Sequence, residues 1–288
     1  MTTEATIFEE CAEIVAHRHW PGAQHVLTLH APQTAAAAVP GQFVHLATGE
    51  RHALRRPLSI MRAMPGQGWI EVLYKAVGRG TQVLAERAVG ERLALLGPIG
   101  RGFTPVAGRP RALLLGGGVG LPPMIFLAEA RRQLARQTLV LLGSEVPFPF
   151  QPRPSQQLIA GMPHGVIGTM PLLEDWGIGC RLASRAGLPG CHDGFVTDLA
   201  RLHLDALDEP TREATMLYGC GPEPMLTAVA ALAREYMLPC QLSLEEYMAC
   251  AVGGCAGCVV PVHEPAGLAM RRVCVDGPVF DAAAVYPG

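Results

Sequence analysis

Arg111-Ala112-Leu113-Leu114-Leu115-Gly116-Gly117-Gly118-Val119-Gly120 leads into Leu121-Pro122-Pro123. An unbroken apolar strand runs into a glycine loop and then into a helix start, which is half of a βαβ unit. A helical stretch is expected from Pro122 to about Arg136, and Thr138–Gly143 is a second apolar strand. Ala214–Tyr218 is another buried strand. It is followed by Gly219-Cys220-Gly221-Pro222 and a helix over Glu223–Tyr236, with Met225, Val229 and Leu232 on one face. Residues 107–236 therefore read as a Rossmann-like parallel-sheet domain.

Upstream the rhythm differs. In residues 1–106, short runs such as Gln42–Ala47, Trp69–Tyr74 and Arg92–Leu96 are separated by Gly and Pro clusters. Strands this short and regularly punctuated suggest a small antiparallel β-barrel. The loop Phe148–Pro163 is rich in Pro and Gln and is expected to be irregular.

Downstream, residues 237–288 hold Cys250, Cys255, Cys258 and Cys274 in the spacing C-x4-C-x2-C-x15-C. This is the plant-type pattern for a [2Fe–2S] cluster, in which each of two irons takes two thiolates. Gly253, Gly254 and Gly257 would let the backbone wrap and aim N–H groups at the sulfurs. The rival is a structural zinc site. Such sites usually join two close cysteine pairs, whereas here three cysteines crowd together and the fourth stands alone.

A net charge of −2 gives no footprint for nucleic acid, and 49% hydrophobic residues suffice for packed cores. The apolar run Ala112–Ala128 is short for a membrane span and is broken by glycines and prolines. No basic-then-apolar leader follows Met1; Glu4, Glu9 and Glu10 occupy that region. A cytoplasmic protein with reduced thiols is expected. Cys11, Cys180, Cys191 and Cys240 read as small buried hydrophobes. His17, His19, His25, His30, His45 and His52 show no metal-like spacing and read as surface or satisfied core residues.

Three further motifs suit bound nucleotides. Arg55-Arg56-Pro57-Leu58-Ser59 offers an Arg fork and a hydroxyl to a phosphate or flavin ring, or is a solvated turn. Leu73-Tyr74-Lys75 ends a strand, and Gly78-Arg79-Gly80-Thr81 opens a helix whose amides can meet phosphate. Lys75 is the only lysine beside 22 arginines. Gly116, Gly117, Gly118, Val119 and Gly120 can admit a pyrophosphate. Glu145, past the second strand, can accept from a ribose hydroxyl and so favour NAD over NADP, or can be an exposed loop residue. At a strand's carboxyl end, Gly219, Cys220, Gly221 and Pro222 sit where α/β folds bind ligands; Cys220 either touches a nicotinamide or packs as a thiol.

Taken in order, Arg-Pro-Leu-Ser, Tyr-Lys-x-Val-Gly-x-Gly-Thr, Gly-Gly-Gly-Val-Gly, Gly-Cys-Gly-Pro and the cysteines with Asp276-Gly277-Pro278-Val279-Phe280 resemble the ferredoxin–NAD(P) reductase superfamily. Within it the likeness is to the electron-transfer subunits of class 1B dihydroorotate dehydrogenases. The resemblance implies an FAD-binding β-barrel at 1–106, an NAD-binding α/β domain at 107–236 and a [2Fe–2S] domain at 237–288. It implies that Arg56, Pro57, Leu58, Ser59, Leu73, Tyr74, Lys75, Gly80 and Thr81 hold FAD and that the four cysteines hold the cluster. It further implies an FMN-containing catalytic partner in a heterotetramer. Electrons from dihydroorotate, in pyrimidine biosynthesis, would cross cluster and FAD to NAD+. Two other functions share these motifs: a reductase feeding a ferredoxin or oxygenase, and a non-catalytic assembly subunit.

Overall fold

The structure, a computed structural model, describes residues 7–49 and 54–288, so His52 lies outside the described residues. Six strands, β1 (Phe8–Trp20), β2 (Gln24–His30), β3 (Phe43–Leu46), β4 (Arg56–Met64), β5 (Trp69–Lys75) and β6 (Arg92–Ile99), close an antiparallel barrel in the order β1-β2-β5-β4-β3-β6. β1 is long enough to pair with β6 along its first half and with β2 along its second, bending at a bulge between Ile14 and Ala16. The barrel is filled by Ile14, Leu27, Leu29, Leu46, Ile60, Ile70, Val72 and Leu95, all fully buried. Each such side chain contributes roughly 1.5–3 kcal/mol of transfer free energy. Glu10 points inward and accepts from Gln33 N at 3.0 Å and Thr34 N at 2.8 Å. That closes the start of helix α1 (Pro32–Ala37) and satisfies a buried carboxylate.

Arg56–Ser59 was expected to be a turn but forms the first four residues of β4, with Pro57 opposite His45. Proline is tolerated there because it stands near the strand's start. Helix α2 (Arg79–Ala85) follows β5 as expected.

The second sheet is built on β7 (Arg111–Gly117), which continues into the glycine loop, and β8 (Thr138–Gly143). Between them helix α3 (Leu121–Ala130) stops well short of Arg136. Arg131 turns out of the helix and its guanidinium reaches back to Pro110 O at 2.6 Å and Thr138 Oγ1 at 3.1 Å. A 3-10 segment then carries the chain to β8. All eight residues Leu121–Ala128 are buried, because α3 lies between the barrel strand β4 and the sheet. An Arg62–Glu129 ion pair at 2.8 Å ties the two layers together.

Beyond β8 a short ribbon, β9 (Arg153–Pro154) with β10 (Gly168–Thr169), interrupts the irregular segment. The chain continues through α4 (Pro171–Asp175), β11 (Gly179–Ala183), α5 (Val196–Asp205), α6 (Glu209–Glu213), β12 (Thr215–Cys220) and α7 (Glu223–Glu235). β13 (Cys240–Ser243) follows, then the hairpin β14 (Val259–Glu264) and β15 (Gly267–Arg272), then β16 (Val279–Asp281) and α8 (Ala282–Val285). The sheet order is β11-β8-β7-β12-β13-β16, parallel except for β16. Strand order reverses between β7 and β12, which is where ligands bind in open α/β sheets. Two strands from 237–288, β13 and β16, thus belong to this sheet. Val260, Val262, Val273, Cys258 and Cys274 pack into the same core as Ala230, Ala233 and Leu238. Among the described residues no helix is long and apolar enough to cross a membrane.

Candidate functional site

At the switch point the ends of β7 and β12 are in register, Gly116 opposite Cys220. Gly118 has φ +56, a left-handed conformation that favours glycine. Gly120 has a different reason to be glycine: a Cβ there would fall on the backbone carbonyl of Cys220. Cys220 ends β12 and Gly120 closes the tight turn that opens α3, so a shift of either disturbs an element end. Gly120→Ala is therefore expected to destabilise the fold by about 2–4 kcal/mol, read from denaturant unfolding, as an overpacking with no relaxed solution.

The loop opens on a cavity of about 780 Å³ lined by Gly117, Gly118, Val119, Glu145, Pro222 and Met225, among others. Its size suits a small-molecule ligand. Lys75, from the barrel, lines the same cavity, which brings the end of β5 next to the glycine loop. Gly219 and Cys220 do not line it. Cys220 is fully buried, and burial pushes its thiol well above the usual range, with the nearby Glu245 carboxylate adding to the effect. Of its two sequence readings, the geometry fits the packed thiol. Sequence reasoning missed Arg185, which lines the cavity just after β11 and lies over the Phe195 ring at 5.3 Å. The signal was available, since Cys180-Arg181-Leu182-Ala183 is a buried strand end like the other two.

In the barrel, Arg56 at the start of β4 lies against Gly80, the second residue of α2. A Cβ at Gly80 would collide with the guanidinium. Arg56 Nη1 donates to Leu54 O at 2.8 Å and to Arg55 O at 3.2 Å. Thr81 Oγ1 donates to Gly78 O at 3.0 Å and accepts from Gly78 N at 3.1 Å, bracing the turn. Leu58, Leu73 and Tyr74 are buried. Arg55 Nη1 is buried without a partner among the described residues. A side-chain-free step beside a fixed guanidinium is a cradle that fits a phosphate-bearing cofactor such as FAD.

The four cysteines are unbridged and meet in two couples. The Cys258 and Cys274 sulfurs are 3.3 Å apart and buried, while Cys250 Sγ accepts from Cys255 N at 3.4 Å. Cys255 Sγ in turn accepts from Gly257 N at 3.4 Å. Burial tends to raise the Cys250 thiol, yet N–H groups of Val252, Cys255 and Gly254 outweigh it and bring the pKa down to about 7. Burial and the neighbouring Cys258 push Cys274 up to about 12. Two couples of thiols fit a two-iron cluster. The turns are carried differently from the sequence expectation. Gly253 is left-handed at φ +82, but Gly254 and Gly257 are not, and Ala251 (φ 58) and Ala256 (φ 53) are. Both alanines directly follow a cysteine, so each left-handed residue turns the chain back over a sulfur.

The other cysteines and histidines follow the bland reading in part. Cys180 and Cys240 are buried, whereas Cys11 is exposed and Cys191 half-buried. His45 is buried as a core residue and His30 is exposed. His17, His19 and His25 converge. Burial, then the neighbouring His19 and His17 rings, lower the His25 pKa to about 4.

An antiparallel barrel followed by a parallel sheet, with a cavity where Lys75 of the barrel meets the glycine loop, is the plan of flavin-dependent ferredoxin-reductase-type proteins. The solved structures return that class. The structure reported for NADH-dependent reduced ferredoxin-NADP oxidoreductase matches at TM-score 0.76 and 24% identity, over 96% of this chain and 90% of that one. The ferredoxin reductase in carbazole 1,9a-dioxygenase matches at TM-score 0.58 and 26% identity, over 80% and 65%. The family described as the iron-sulfur cluster binding domain of dihydroorotate dehydrogenase B matches residues 245–286, which span all four cysteines. Curated proteins named dihydroorotate dehydrogenase B (NAD(+)), electron transfer subunit, match almost end to end. The one from Desulforamulus reducens is 32% identical over 89% of this chain and 90% of its own length. That from Geobacillus thermodenitrificans is 35% identical over 97% and 99%. The chain belongs to this family of electron transfer subunits.

Proposed function

We propose that the chain relays electrons between a dihydroorotate-oxidising partner subunit and NAD+, entering at the cysteine site and leaving at the glycine-loop cleft. The observation that carries this is the connection of the two sites through one sheet. β13 and β16 flank the cysteine loop and stand on the same sheet as β7 and β12, whose ends form the cleft. FAD, when bound, supplies the exchange between one-electron and two-electron chemistry. Arg56, with Pro57, Leu58, Ser59, Gly80 and Thr81, would hold its phosphates and ring. Leu73, Tyr74 and Lys75 would flank it, with Lys75 facing the dinucleotide cavity. Gly116–Gly120, Gly221 and Pro222 would admit the pyrophosphate of NAD. Cys250, Cys255, Cys258 and Cys274 would hold the [2Fe–2S] cluster. The division at 106/107 and 236/237 belongs to the proposal, with β13 and β16 lent to the dinucleotide sheet. No acid–base dyad is needed in this chain, because substrate oxidation belongs to the partner.

The last segment also offers that partner exposed contacts. Cys255 is exposed, and Tyr247 (94% exposed), Val252, Leu268 and Met270 are apolar side chains left in water in this last segment. Exposed apolar groups of this kind are available for burial against a partner.

Glu145 and Arg185 oppose each other in choosing the dinucleotide. A carboxylate accepts from a ribose hydroxyl and repels a 2′-phosphate, while an Arg attracts it. Glu145→Gln is expected to raise kcat/KM for NADPH relative to NADH by about tenfold, roughly 1.4 kcal/mol. Adding Arg185→Ala should abolish that gain. Steady-state dye reduction with each dinucleotide checks both.

The test of the function is anaerobic purification of the chain alone. It should carry FAD and iron, reduce dyes with NADH, and fail to oxidise dihydroorotate. Zinc in place of iron, or dihydroorotate oxidation without a partner, would defeat the proposal.

A further inference from the structure

We propose that His17, His19 and His25 form a binding site for a divalent transition-metal cation of the zinc class, separate from the iron–sulfur cysteines. His17 and His19 are two residues apart on β1 and so project from the same face. His25 lies directly opposite His19 on β2. The ring centroids of His17 and His25 stand 4.6 Å and 4.6 Å from that of His19, and one nitrogen from each ring lies within 4.8 Å of the others. A tetrahedral zinc ion with nitrogens at about 2.1 Å wants them about 3.4 Å apart. Side-chain rotations closing the cluster by roughly an ångström reach that spacing.

Hydrogen bonding around the cluster has the form of a ligand shell. His17 Nδ1 is 2.9 Å from the Arg87 carbonyl. A carbonyl only accepts, so the proton belongs on Nδ1, and Nε2 carries a lone pair that accepts from the Tyr74 hydroxyl at 2.9 Å, a neutral donor that a cation would displace. His25 Nδ1 is buried with no partner among the described residues, a cost that a ligand would remove. The His25 ring stacks on Tyr74 at 5.0 Å, which fixes its plane. Three imidazoles leave a tetrahedral ion one open position. Imidazole suits zinc, nickel and copper.

The experiment is an anaerobic titration of the FAD- and iron-loaded protein with Zn2+ against a competing chelating dye, with iron and flavin measured in parallel. One Zn2+ per chain is expected. His19→Gln, an exposed substitution that should leave the fold intact, and His25→Gln should each weaken binding tenfold or more, with iron and flavin content unchanged. Wild-type zinc affinity in His19→Gln would overturn the site. So would zinc uptake matched by iron loss, which would place the metal on the cysteines.

Discussion

Replacing Cys255 with Ser is expected to remove most of the iron and to cut dihydroorotate-to-NAD+ turnover of the assembled complex by about 100-fold or more. That loss corresponds to roughly 2.7 kcal/mol in barrier terms. The fold should survive, because Cys255 is exposed and the core cysteines of the segment are Cys258 and Cys274. Its backbone N–H donates to the Cys250 sulfur at 3.4 Å and its own sulfur accepts from Gly257 N at 3.4 Å, so the substitution removes one thiolate of the four while leaving the loop's backbone contact to Cys250 in place. Flavin reduction by NADH should stay within about twofold of wild type, because the cleft is built from β7 and β12 and not from the cysteine loop. Iron analysis, visible absorbance and two rate measurements decide it. Equal loss of both activities would mean that the cysteines hold the whole fold together rather than one stage of transfer.

Arg56→Ala is expected to strip FAD from the chain. A charge-assisted, bidentate contact to phosphate is worth about 1.5–3 kcal/mol, so FAD affinity should fall roughly 10- to 100-fold. Arg55→Ala is the control. Arg55 Nη2 is taken by Glu9 at 3.2 Å, and a pair with one exposed member is worth about 1 kcal/mol or less. Flavin retained after gel filtration, and affinity by fluorescence quenching on re-addition, separate the two. If Arg55→Ala loses FAD and Arg56→Ala keeps it, the cradle is misassigned.

Legibility in the sequence followed burial. β7, β8 and β12 are covered on both faces, so they appear as unbroken apolar runs and were placed almost to the residue. β1 was invisible because its buried positions, Glu10, Ala12 and Ile14, include a carboxylate and alternate with Glu9, Cys11, Glu13 and Val15 on a bulged strand. Arg56–Ser59 looked like a turn because of its Arg and Pro content, and only pairing with β3 makes it a strand. Helix α3 was overextended because the turn at Arg131 is set by Pro110 O, a distant partner. Cysteine spacing alone located the cluster residues. It could not show that Ala251 and Ala256, rather than Gly254 and Gly257, take the left-handed conformations. Convergence of His17, His19 and His25 depends on the β1–β2 register, which spacing along the chain does not reveal.

The most direct test of the relay is NADH formation from dihydroorotate and NAD+, followed at 340 nm under anaerobic conditions with the partner subunit alone and with this chain added. The relay predicts NADH only when both are present, and none when the added chain carries Cys255→Ser. NADH formation by the partner alone, or at the wild-type rate with the cluster-free variant, would contradict it.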